Sequence, residues 1–193
     1  MIPQIILFGP ECSGKTTLAQ NLQMYYDGIL VPEYLRSYAQ SLWDAEQRIV
    51  DQRDVINLIN GQCQSEQVAF QNARKGVFGE EQGMCAVFYD TNIQQLEVYF
   101  DYYFGSEWGE LPLDVLPQKN ECIYLLTRPD IPWQADDLRD RPLEREALFG
   151  IFESYLKRIQ ANYVTVSGDI EARMALACCM INKTWPHLNV EKT

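Results

Sequence analysis

Residues 7–19 read LFGPECSGKTTLA. The run QIILF (4–8) leads into this stretch as a buried strand, and turn chemistry follows at Gly9 and Pro10. From Gly14 to about Tyr26 the pattern becomes helical, with Leu18, Leu22 and Tyr25 on one face. Gly9–Thr16 fits G-x-x-x-x-G-K-[ST] between a strand and a helix, the setting in which this spacing cradles phosphate. Glycines let backbone N–H groups approach the phosphates, and the helix N-terminus adds positive potential. Lys15 is expected to reach the β- and γ-phosphates of ATP, and the Thr16 hydroxyl to ligate Mg²⁺. Gly9, Glu11, Cys12, Ser13, Gly14, Lys15, Thr16 and Thr17 make up the expected nucleotide-binding set. Within it Glu11 and Cys12 are spacers that contribute backbone N–H groups.

The same alternation continues along the chain. ILV (29–31), CAVFYD (85–90), ECIYLLT (121–127) and YVTVS (163–167) read as further strands. Helical patterns separate them: PEYLRSYAQSLW, 51–75 with Ile56, Ile59, Cys63 and Phe70 on one stripe, 92–104 ending near Gly105, 143–160 with Leu148, Ile151, Tyr155 and Ile159, and a last helix to about Asn182 that Asp169 is placed to cap. Apolar strands separated by helices predict an α/β fold of three layers, a five-stranded parallel sheet covered on both faces, in one domain over 1–193. Ligands of such sheets bind beyond the carboxyl ends of the strands. Gly9–Thr16, Glu33, Asp90, Arg128 and Gly168 all fall just past a strand.

Composition narrows the partners. A net charge of −11 argues against nucleic acid, whose binding relies on Lys and Arg to release counterions, and against an anionic membrane surface. An anionic ligand must therefore be held by a local basic site. The six cysteines form no C-x-x-C pair and there is one histidine, His187, so a zinc site is not expected. They read as reduced core cysteines of a cytoplasmic protein, apart from Cys12, which lies inside the glycine loop and is the candidate for oxidation; the N-terminal MIPQIILFG carries no basic leader. The oligomeric state is not written in the sequence.

Two carboxylates and an arginine cluster surround the cradle. Asp90 ends the strand VFYD, where a carboxylate commonly holds Mg²⁺, often through water; the alternative is a helix cap from DTN, in which Thr91 also qualifies. Glu33, after the second strand, is placed either to take a proton from an attacking hydroxyl or to complement a helix dipole behind Pro32. Arg36, one turn on, pairs with Glu33 or binds substrate. Residues 128–146, RPDIPWQADDLRDRPLERE, read as a lid over about 128–141 that gathers Arg128, Arg139, Arg141 and Arg145 in an otherwise acidic chain. Arg139 and Arg141 are the expected contacts to a migrating phosphoryl group, and Trp133 either covers a substrate ring or pins the lid. The run YFDYYFGSEW (99–108) reads first as core packing and second as a stacking wall.

Taken together, GPECSGKTTLA, VPEYLRSYA, FYDTNIQQLEVYFDYYFG, YLLTRPDIPWQADDLRDRPLERE and YVTVSGDIEAR run in the order of a known family. The chain resembles the ribosylnicotinamide kinase domain of NadR-type NAD-biosynthesis regulators and the related AAA-type small ATPase/kinase family. The resemblance implies a nucleoside-kinase fold and transfer of the ATP γ-phosphate to the 5′-hydroxyl of nicotinamide riboside with Mg²⁺. It implies a substrate-binding or base role for Glu33, and places Gly168 and Asp169 on the adenine side. Pro32 stands where such domains can carry a tryptophan. From the residues themselves two classes stay open: a small-molecule kinase, for this or another nucleoside, and a nucleotide-dependent switch acting on a protein partner.

Overall fold

A computed structural model describes residues 2–78, 85–111, 121–133 and 144–188. Its five strands are β1 Gln4–Phe8, β2 Ile29–Val31, β3 Val87–Tyr89, β4 Cys122–Thr127 and β5 Tyr163–Val166, in the order β2-β3-β1-β4-β5. Every pairing is parallel, with Ile5 opposite both Phe88 and Ile123. The helices are α1 Lys15–Tyr26, α2 Tyr34–Glu46, α3 Val55–Phe78, α4 Ile93–Phe104, α5 Arg145–Arg158 and α6 Ile170–Thr184. Among the described residues, no helix is long and apolar enough to cross a membrane.

Period-two alternation divides the central strand between two cores. Ile6 and Phe8 face one layer with Tyr89, Tyr124 and Leu126, against Tyr99, Phe149 and Phe152 of α4 and α5. Ile5 and Leu7 face the other, against Leu18 and Leu22 of α1 and Ala177 and Ile181 of α6. Phe8 meets Phe152 edge-on with ring centroids 5.0 Å apart, and Phe152 meets Tyr99 at 5.4 Å, favourable geometries for aromatic pairs. A third cluster of Val55, Leu58, Ile93, Leu96 and Phe100 joins α3 to α4.

Two expected stripes are corrected. In α3, Ile56 is 64% exposed, whereas Val55 and Leu58 are buried. Ile59 is buried and Cys63 and Phe70 pack against the core as expected, so the correction is confined to Ile56; polar Gln62 and Glu66 share the inward side. Gln62 is satisfied by donating to the Thr91 carbonyl at 3.0 Å, and the Glu66 carboxylate accepts from the Ile93 N–H at 2.7 Å. Burial pushes the Glu66 carboxyl up to about 7. In α5, Leu148 and Tyr155 are buried and Ile159 packs against the core as expected; only Ile151 lies on the exposed edge, and Phe149, Phe152 and Leu156 complete the core around Phe8.

The strand order places β1 between β3 and β4, so successive connections leave the sheet on opposite sides of its carboxyl end. That switch point opens a crevice at the residue where Gly9 begins its loop.

Candidate functional site

The loop after β1 is held by its own backbone chemistry. Gly9 has φ +139°, and a Cβ there would lie 2.8 Å from both the carbonyl and the hydroxyl of Thr127 at the end of β4. Only glycine lets the two strand ends approach this closely. Gly14 caps α1 with φ +83°, again in the left-handed region. Ser13 is fully buried; its hydroxyl donates to the Pro10 carbonyl at 2.7 Å and lies 2.6 Å from the Thr127 hydroxyl. Its side chain therefore pins the loop to β4, leaving its backbone for a ligand. The Gly9 N–H donates to Gln95 Oε1 at 3.2 Å, tying the loop to the first turn of α4.

Lys15 folds back over this loop, its Nζ donating to the carbonyls of Gly9 at 2.9 Å and Pro10 at 2.7 Å. Across from it, Asp90 leaves β3 with its N–H bonded to the Val31 carbonyl at 3.0 Å. Asp90 is 5% exposed and is hydrogen-bonded to Thr16, while its Oδ1 is buried without a hydrogen-bond partner. Burial raises its carboxyl above the usual carboxylate range and Glu33 adds to this; Lys15, Thr16 and Arg36 oppose it. Neither Asp90 nor Thr91 is the helix cap: Asn92 caps α4, its side chain accepting from the Gln95 N–H at 3.2 Å. An orphaned acceptor beside the Thr16 hydroxyl and the phosphate loop fits a hydrated Mg²⁺. Among the described residues no group of three or more His, Cys, Asp or Glu is placed to hold a metal.

A cleft of about 540 Å³ opens beside these groups, with Lys15, Thr16 and Thr17 at one end. Glu33 and Arg36 line it from the start of α2. Glu33 occupies the N-cap position of α2 but makes no side-chain cap bond, and it lines the cleft. The aromatic run serves both of its expected readings. Tyr99 and Phe100 are buried in the core, and both line the cleft together with Tyr103 and Phe104. The Tyr99 hydroxyl is bonded by the Glu11 backbone, and burial, with Glu11 and Glu33 nearby, pushes that phenol well above its ordinary range.

On the far side of the loop, the Gly168 N–H donates to Asp130 Oδ2 at 2.7 Å. The Asp169 carboxylate accepts from the Ala172 N–H at 2.9 Å, so it caps α6 as expected. Arg128 is exposed, its guanidinium 5.0 Å from the Phe149 ring centroid. Trp133 does not line the cleft; it packs beneath Arg145, whose guanidinium is 5.4 Å from its centroid. Arg145 donates from Nη1 to the carbonyls of Cys12 at 3.2 Å and Ile131 at 3.0 Å, joining the loop to the base of the expected lid. Arg139 and Arg141 lie outside the described residues. Sequence reasoning missed Gln95 and Arg173 altogether. Their contacts to the loop span 86 and 160 residues, and no local spacing signals them.

Comparison with known proteins places this geometry in a family. Residues 4–173 match the model of a family described as an AAA domain. No curated protein matches the chain by sequence. Among solved structures, NadR in complex with NAD and AMP-PNP superposes with a TM-score of 0.68 at 14% identity, over 100% of this chain and 52% of that one. NadR in complex with NR gives 0.70 at 15%, with the same coverage. Deoxyadenosine kinase from M. mycoides, with products dCMP and a flexible dCDP bound, gives 0.57 at 15%, over 93% of this chain and 99% of that one. The chain thus spans about half the length of the NadR chains it matches, and the likeness to all three is one of fold.

Proposed function

We propose that this chain, which belongs to the AAA domain family, is an ATP-dependent kinase of a nucleoside-type small molecule. Its acceptor is the 5′-hydroxyl of nicotinamide riboside, its product nicotinamide mononucleotide, and residues 1–193 act as a single catalytic domain. The observation that carries this reading is the pairing of Asp90, buried with an unpartnered oxygen beside Thr16 and Lys15, with Glu33, which lines the adjoining cleft. A switch needs the first of these; only a transfer reaction needs a second carboxylate lining a pocket large enough for an acceptor.

The roles follow from position. The loop N–H groups from Gly9 to Thr17 hold the triphosphate, with Lys15 at its β- and γ-phosphates. Thr16 and Asp90 hold Mg²⁺, which when bound neutralises charge on the phosphate oxygens. Glu33 accepts the proton of the acceptor hydroxyl as its oxygen bonds to the γ-phosphorus. The bond from that phosphorus to the bridging oxygen breaks, leaving ADP with the electron pair. Arg36 orients the acceptor. Arg128, Gly168 and Asp169 flank the adenine, and Arg139 and Arg141 supply positive charge to the migrating group. The NadR complexes with AMP-PNP and with NR support a nucleotide donor and this riboside as acceptor. A second acceptor class is favoured by one comparison: deoxyadenosine kinase superposes over 93% of this chain and 99% of its own.

The test is ADP release from Mg·ATP with nicotinamide riboside, uridine and deoxyadenosine offered separately. Stimulation by the nicotinamide compound alone supports the primary reading, stimulation by deoxyadenosine the second. If no riboside raises turnover or the melting temperature, the kinase reading fails and a switch takes its place. Glu33→Gln is expected to lower kcat by about 10²-fold, the usual contribution of a positioned base, with ATP affinity retained. An unchanged rate assigns proton removal to Asp90 instead.

A further inference from the structure

Arg173 is 3% exposed, on the first turn of α6, and it touches three loops that leave three different strands. Its Nη1 donates to the Ser13 carbonyl in the phosphate loop at 2.6 Å. Its Nε donates to the Gly168 carbonyl after β5 at 2.8 Å, and its Nη2 to the Arg128 carbonyl after β4 at 3.0 Å. Nη2 also pairs with the Asp130 carboxylate, whose other oxygen accepts the Gly168 N–H at 2.7 Å. The loops after β1, β4 and β5 are therefore locked to one planar fork.

A buried guanidinium is costly unless every neighbour is matched, and apolar side chains of similar volume commonly stabilise a core as well or better. What this pair supplies that an apolar filling does not is a fixed distance between loops. On one side of the fork lies the phosphate loop; on the other lie Arg128 and Gly168, which the proposed function places around the base of the donor. We propose that Arg173 and Asp130 are a positioning pair that holds the base-side loops in register with the phosphate loop, so that the nucleobase and the triphosphate are bound at once. This rests on the reading of the site as an ATP-dependent one. A lysine cannot replace the fork, because its single ammonium does not reach three carbonyls and a carboxylate in one plane.

The full chain is tested with two ligands, Mg·ATP and magnesium tripolyphosphate, which carries the phosphates without ribose or base. Affinity for each is measured by calorimetry for wild type, Arg173→Lys and Asp130→Asn, alongside thermal melts. Arg173→Lys is expected to lower ATP affinity roughly 10-fold more than tripolyphosphate affinity, the worth of one charge-assisted hydrogen bond. Asp130→Asn removes the ion pair but keeps an acceptor for Gly168, and is expected to shift the same ratio by less. It also carries the test if Arg173→Lys does not fold. A ratio of the two affinities that stays at the wild-type value in the folded variants overturns the proposal, whatever happens to the melting temperature, since a structural role moves both ligands together. Wild-type protein that binds neither ligand overturns the functional reading itself, and the pair's role with it.

Discussion

Lys15→Ala is expected to lower kcat/KM for the accepted riboside by about 10³-fold, the upper end for removing one preorganised donor from a site of developing charge. The lysine is 7% exposed and is already aimed, its Nζ held by the Gly9 and Pro10 carbonyls at 2.9 and 2.7 Å. Such an ammonium exchanges those neutral acceptors for phosphate oxygens with little rearrangement, and its charge acts where water is largely excluded. In a chain of net charge −11, the general field opposes a triphosphate, so this one cation has a disproportionate share in holding it. The measurement is steady-state ADP release across ATP concentrations, with circular dichroism confirming that the variant is folded. Full activity in a folded Lys15→Ala protein rules out the loop as a phosphate cradle.

The phosphate loop is legible in the sequence because everything that shapes it is local: a strand, two glycines, a lysine and a helix start within about four turns of chain. Likewise the parallel sheet follows from apolar runs between helical patterns. What the sequence leaves open are choices settled by groups far away in the chain. The sequence offers Asp90 or Thr91 as the cap of α4, and the backbone path gives it to Asn92 instead. Glu33 reads equally as cap or base until its side chain is seen to make no cap bond and to line a cleft formed with Tyr99 and Phe100. In α3 the apolar pattern finds Ile59, Cys63 and Phe70 but not the inward polar positions Gln62 and Glu66, whose partners Thr91 and Ile93 lie some 30 residues on. Arg173 is invisible for the same reason: an arginine on a helix with acidic neighbours looks solvated, and its partners lie on three separate loops.

Asp90→Asn is expected to produce opposite changes in activity and stability. Activity should fall by about 10–100-fold, the cost of losing a group that orients a metal's ligands. The protein without nucleotide should nevertheless melt at a higher temperature than wild type at neutral pH. The sign follows from linkage. Burial raises the folded carboxyl above its ordinary value, with Glu33 adding to the effect, so in the window above about 3.9, the unperturbed value, the native state binds more protons than the unfolded state. Stability then falls as pH rises through that window. Above it the wild type carries the net penalty of a buried charge that Lys15, Thr16 and Arg36 offset only in part, and the asparagine, which keeps an acceptor for Thr16, does not. The advantage of the variant should shrink as pH is lowered and vanish below both carboxyl values. Added Mg·ATP should reverse the order, because wild type gains stability in proportion to its tighter binding. Melting curves from pH 3 to 8, with and without Mg·ATP, read both effects. A variant less stable than wild type at neutral pH without nucleotide would make Asp90 a structural residue; one more stable yet fully active would remove it from the site.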